Sequence, residues 1–393
     1  MEFEGPLSIP EDESKSESES ENESENENAN ANANAGNDSG TTSSRKTRDV
    51  YPYSTRNRNR NRMLFTLLAV SNPRIRFLQP GNSVIPPEHV SAIWRTLSAG
   101  SGLHFIPRAF ESLLHIHDPN GFENIQPHMF DESAAVWNDE LSQVWNHVHG
   151  IYKQAERCHN YHKNKEAWVQ LVRHMLTLSG VGWLNGMVEI NSVQSQAVCR
   201  DLLSTLPDNV FPLARKVDLA LAFNPSHPDI KGPWDDLHLK HEGVRLSHID
   251  DAYTGTLVVG CGINVKEPGG DYDEAIMQLG VWSAAALELL LVLASSEARK
   301  KLYPYLGITV IGHEWRLHLS WKIVGSDDKL VVGPFPLFSL STVSYTGIFA
   351  LRQLLSRVHS YLCLDYWPWY KSAVLLPLSA VPFNELEGYC YRT

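Results

Sequence analysis

The chain has 393 residues, 20% of them charged and 42% in the hydrophobic class, enough for one large domain or two small ones with a real core. Its formal net charge of −11 is concentrated at one end: residues 1–44 hold twelve acidic residues against Lys15 alone, and 45–62 hold seven basic residues against Asp49. The remaining body is mildly acidic, which argues against a protein that coats nucleic acid nonspecifically over its whole surface.

The start, MEFEGPLSIPEDES, is acidic where a secretory signal would be basic and then apolar. Five cysteines (Cys158, Cys199, Cys261, Cys363, Cys390) are scattered without CxxC spacing. Together these features predict an intracellular protein with free thiols.

Residues 1–62 read as a low-complexity tail. The stretch to residue 44 alternates Glu, Ser, Asn and Ala, with too little apolar surface to offset its ordering entropy. Between 45 and 62, Arg56, Arg58, Arg60 and Arg62 alternate with Asn and Thr. Two readings stay open: a nuclear-import or nucleic-acid-contacting patch, or a repeat-expanded linker whose charge offsets the acidic tail. The folded part is expected from Met63 to about residue 380, followed by a short C-terminal tail, 381–393.

In chain order, PPEHVSAIWRTLSA predicts a helix with Val90, Ile93, Trp94 and Leu97 on one face. Residues 107–135 read as irregular, and 133–157 as helical. Asn164 can cap a helix over 164–178, whose stripe is Trp168, Leu171, Val172, Met175 and Leu176. Glu166 lies off that stripe. Two strands follow, KVDLALAF (216–223) and LVVGCGINVK (257–266). Each has one bulky apolar face and one face of small residues that includes polar groups: Asp218 with Ala220 and Ala222, and Gly260 and Gly262 with Asn264 and Lys266. Small residues beside charged ones suggest room for a group that is not protein. The intervening 224–256 reads as a long loop. A helix is expected over 273–300 with Gln278 and Trp282 near its start. Its apolar part, 281–296, contains Glu288 and is too short for a membrane span, so no membrane partner is expected. One strand over 306–321, a helix over 346–362 and the aromatic run DYWPWY complete a mixed α/β core.

Asp218 and Lys266 are the first candidates for chemistry. A strand aspartate and a strand lysine suit a metal-dependent phosphodiesterase, in which the carboxylate holds Mg²⁺ or Mn²⁺ and the lysine stabilises developing charge. They also suit a plain salt bridge at a strand end. CHNYH (158–162) has no matching second half for zinc. His238, His241 and His248 read as polar loop residues. Trp367, Trp369 and Tyr370 could stack bases, although such a cluster more often packs helices.

In the order of its motifs the chain resembles the fungal proteins with a PD-(D/E)xK nuclease-like domain. The carriers are Glu166-Ala167-Trp168, KVDLAL around Asp218, INVK at 263–266, QLGVW at 278–282 and IGHEW at 311–315. The resemblance implies a restriction-endonuclease-like α/β core, a mixed sheet flanked by helices after a helical N-terminal part. It further implies Glu166 and Asp218 as metal ligands, Lys266 as the signature lysine, Gln278 beside the site, and DNA or RNA as partner. Asn264 stands where the family has its second acidic residue, a neutral amide oxygen in place of a carboxylate. Glu267 points the other way by strand alternation. Two functions follow: a phosphodiester hydrolase with a degenerate, weakened site, or an inactive nuclease-fold module that binds a nucleic-acid or protein partner. The family analogy and the Arg-Asn repeat are also the grounds for expecting nuclear residence.

Overall fold

The computed structural model describes residues 53–78, 85–181, 186–205, 216–241, 243–323 and 330–381. Helix α1 (Tyr53–Ala69) leads into strand β1 (Arg74–Arg76). The helix starts ten residues before the expected boundary at Met63, so the Arg-Asn repeat runs into it. Asn61 is buried, and its Nδ2 donates to Asp271 Oδ2 at 2.7 Å. A tertiary partner thus compensates the poor helix propensity of alternating asparagines. Helix α2 (Glu88–Ser98) buries Val90, Ile93 and Leu97, as its spacing requires.

The stretch expected to be irregular is a run of short elements: β2 (Ile106–Pro107), α3 (Glu111–His117), α4 (Pro119–Phe122) and β3 (Phe130–Asp131), with β2 and β3 paired in parallel. None is long enough to show a period. The long helices α5 (Asp139–Asn160) and α6 (Lys165–Leu178) follow, capped by Asn138 and Asn164. Strands β4 (Val188–Ser192) and β5 (Leu219–Phe223) come next. The region 224–256, expected to be a loop, contains helix α7 (Pro228–Lys240), with Pro228 in its first turn and Pro233 inside it.

Strand β6 (Val259–Lys266), helix α8 (Tyr272–Leu293) and the short α9 (Ser296–Arg299) precede β7 (Tyr305–Ile311). The single strand expected over 306–321 is a hairpin of β7 with β8 (Glu314–Ile323), and Gly312 supplies the left-handed turn residue at φ +55°. Strand β9 (Leu330–Ser341), α10 (Tyr345–Tyr361), α11 (Trp367–Tyr370) and α12 (Leu376–Ala380) complete the described chain.

Among the described residues, seven strands form one mixed sheet in the order β1-β9-β8-β7-β6-β5-β4. The β6–β7 pair is parallel and α8 makes the crossover that such a pair needs. Sixteen of the 22 residues of α8 are buried, including Glu288, and the helix lies against β6, β7, β8 and β9. It is long and apolar enough to cross a membrane, and here that composition serves a helix surrounded by protein.

The small-residue face of β6 does not leave room for a foreign group. A Cβ on Gly262 would come within 2.7 Å of Trp282 Nε1, and one on Gly260 within 2.6 Å of Leu362 Cδ2. These positions are small because α8 and the segment after α10 press on the sheet. Trp367 and Tyr370 are likewise buried, and Trp369 stacks on Tyr303.

Candidate functional site

The site forms where the start of β5, the end of β6, the first turn of α6 and the first two turns of α8 converge. Asp218 immediately precedes β5. Its backbone N–H donates to the Ile263 carbonyl at 2.9 Å, which extends the antiparallel ladder and places Asp218 beside Asn264. Its side chain is buried. Oδ2 accepts from the Val265 N–H at 2.7 Å, and Oδ1 is in an ion pair with Lys165 Nζ at 2.5 Å.

Lys266 closes β6. The turn that follows folds back over its stem: Gly269 takes φ +81°, and a Cβ on Gly270 would lie 2.6 Å from Lys266 Cβ. The ammonium reaches Glu274 Oε2 at 3.3 Å. Glu274 sits in the first turn of α8, where Asp271 Oδ1 caps its N–H at 3.1 Å. The other Glu274 oxygen, Oε1, accepts from Gln278 Nε2 at 3.0 Å, one helical turn on. Gln278 Oε1 in turn accepts from Asn264 Nδ2 at 2.7 Å. That same Nδ2 lies 3.4 Å from the Lys216 carbonyl, while the buried Asn264 Oδ1 has no hydrogen-bond partner among the described residues.

The structure therefore brings Asp218, Asn264, Lys266 and Gln278 together. Glu166 is placed differently. It is exposed on the first turn of α6, and its carboxylate accepts from Gln194 Nε2 at 3.4 Å. The residue of that turn which reaches Asp218 is its neighbour, Lys165. Lys165, Glu274 and Gln194 were not singled out from sequence. Only Glu274 carried a local signal, its four-residue spacing from Gln278.

Beneath the site the surroundings are neutral. His248 meets Trp282 edge-on at 4.4 Å, and complete burial lowers its pKa to about 3. A cleft of about 760 Å³ lies over the turn after Lys266, lined by His159, Gly270, Tyr272, His313 and Arg316 among others. The larger cavity, about 800 Å³ between α1, β1 and β9, touches none of Asp218, Asn264 or Lys266.

A mixed sheet flanked by helices, with an aspartate entering one central strand and a lysine leaving the next, defines a nuclease-type α/β domain. The PD-(D/E)XK nuclease superfamily model matches residues 115–367, and the chain belongs to that superfamily. The match spans every residue of the site. No curated protein and no solved structure matches the chain significantly.

Nucleases of this superfamily are generally dependent on a divalent metal. A hard dication requires several oxygen donors, mostly charged ones. Of the carboxylates on the converging elements, Asp218 is paired with Lys165, Glu274 with Lys266 and the exposed Glu166 is bonded to Gln194, and the remaining central oxygen belongs to a neutral amide. Among the described residues no three His, Cys, Asp or Glu side chains group so as to hold a metal. This donor set does not fit a resident divalent cation.

Proposed function

We propose that this chain uses its nuclease-type domain to bind nucleic acid and does not cleave it with a resident metal. The observation that carries this reading is Asn264: the position between Asp218 and Lys266 offers a neutral oxygen, so attraction for a dication at the centre of the site is weak. Nucleic acid is favoured as the partner by α1. Its Asn61 is tied to Asp271 at the start of α8, which brings the exposed Arg60 and Arg62 to the end of the helix that carries Glu274. Clustered arginines release counterions from phosphates and supply affinity without reading sequence.

A second reading, a weakened hydrolase using Mg²⁺ or Mn²⁺, is favoured by Lys266. The lysine is retained at the strand end, where it could stabilise developing phosphate charge.

One experiment separates the two. The full chain is incubated with labelled single- and double-stranded DNA and RNA, in EDTA and in Mn²⁺, with binding and product both measured. Binding should be metal-independent, should weaken as salt rises, and should fall severalfold in Arg60→Gln/Arg62→Gln, with no product formed. Wild-type cleavage in Mn²⁺ that Lys266→Ala abolishes would establish the hydrolase instead. Absence of binding to all four substrates would overturn the proposal.

A further inference from the structure

We infer that Lys165 is a built-in counter-cation for Asp218, standing in place of a divalent metal ion, so that the ammonium and a metal are mutually exclusive at this carboxylate. The inference rests on the reading of this convergence as the superfamily's site.

Asp218 has two oxygens, and one accepts a backbone bond, which leaves it a single lone pair. Oδ2 is fixed by the Val265 N–H, a bond made inside the sheet. The oxygen that faces out of the sheet's hydrogen bonding is Oδ1, and Lys165 Nζ is on it. The geometry is asymmetric: the Asp218 side chain is 4% exposed, whereas the Lys165 side chain is 36% exposed. The solvent side of the carboxylate is therefore covered by the lysine, and a dication that reached Oδ1 would have to displace the ammonium.

The placement of Lys165 is costly in isolation. It is the first residue of α6, next to the cap Asn164, where the helix dipole disfavours a cation. A buried carboxylate facing that turn offsets the cost. In return the lysine supplies the counter-charge that the aspartate needs in the sheet, since a buried carboxylate without a partner is strongly disfavoured. Lys266 cannot serve the same carboxylate while it is engaged with Glu274. Asn264 supplies no competing charge. In this arrangement one positive charge balances the one buried negative charge of Asp218, which lowers the attraction of that carboxylate for a metal.

The test is Mn²⁺ binding by the full chain, measured by titration calorimetry and by the Mn²⁺-induced change in melting temperature. Lys165→Met leaves Asp218 buried with no cation. Its Mn²⁺ affinity should rise at least tenfold over wild type, and Mn²⁺ should raise its melting temperature while leaving that of wild type unchanged. Lys165→Arg should behave as wild type. Adding Asp218→Asn to Lys165→Met should remove the gain. Lys165→Gln keeps a donor for Oδ1 without the charge, and it answers the same question if Lys165→Met does not fold. Equal Mn²⁺ affinity in wild type and the uncharged variants, or a gain that survives Asp218→Asn, would overturn the inference. Neither readout involves nucleic acid, so this result is independent of whether the chain binds or cleaves it.

Discussion

Asn264 donates through Nδ2 to Gln278 Oε1 at 2.7 Å, and this one bond fixes which atom of the amide faces the site. The Glu274 carboxylate can only accept, so Gln278 must turn its NH₂ toward it. Gln278 is then left with its oxygen toward Asn264, which must present its own NH₂. The nearby Lys216 carbonyl demands the same orientation. Asn264 Oδ1 is thereby turned away from both, buried and without a partner among the described residues. The asparagine is matched to its hydrogen-bonding surroundings as well as being a lost carboxylate.

Restoring an acid here should therefore carry a cost. In Asn264→Asp, a carboxylate oxygen would face Gln278 Oε1 and the Lys216 carbonyl, and the variant should lose about 1–3 kcal/mol of stability in metal-free buffer. Adding Glu274→Gln should recover part of that loss. Gln278 could then flip, donating to the introduced carboxylate and accepting from the introduced amide. A double-mutant cycle by urea unfolding should show coupling of about 1 kcal/mol or more. Strictly additive costs would mean that the chain of bonds does not set the orientation of Asn264.

The legible parts of the fold were those whose physics is local. The three- and four-residue steps in α5 and α6 and the alternation in β5 and β6 are periodic over enough residues to be read, and alternation put Asn264 and Lys266 on one strand face, while it was the resemblance of the motifs that joined them to Asp218 and Gln278. Strand β9 was missed because Pro334 and Pro336 interrupt it, although it is paired on both sides. Helix α7 was hidden by Gly232 and Pro233. The stripe of Ala220, Ala222, Gly260 and Gly262 was legible as a pattern but not in its meaning, since only the structure places Trp282 and Leu362 against β6. The Lys165–Asp218 pair joins residues that no local pattern connects, and it depends on where a helix start meets a strand start.

Buried neutral histidines give the fold a predictable acid sensitivity. Burial lowers the pKa of both His248 and His318 to about 3, with Arg316 adding to the effect at His318. The unfolded chain takes up protons near the ordinary value of 6.5, while the folded chain does not until about 3. Stability is therefore full above pH 6.5 and is lost as pH falls from there toward 3, by about 1 kcal/mol per histidine per pH unit. His318→Gln can keep a bond to Thr309, now 2.9 Å from the ring, and should flatten the urea-unfolding stability curve between pH 6.5 and 5. A curve of unchanged slope would show that His318 is not held neutral.

The ion pair of Lys322 in β8 with Glu288 in α8 places charge inside the fold, and it makes a separate prediction. Both side chains are buried, and the pair joins the crossover helix to the sheet beneath it. Removing one partner strands a charge in the core, so Glu288→Leu or Lys322→Met alone should each cost about 3–5 kcal/mol. Removing both replaces the charged pair by an apolar contact between the helix and the strand. The double variant should come back to within about 1–2 kcal/mol of wild type or exceed it. If instead the double variant is as unstable as the worse single one, the pair contributes through bonds to groups other than each other, and the registration of α8 on the sheet depends on them. The comparison also bears on the site, because α8 carries Glu274 and Gln278 two turns or more before Glu288. If the pair only anchors the helix, the double variant should behave as wild type in the assay of the proposed nucleic-acid binding.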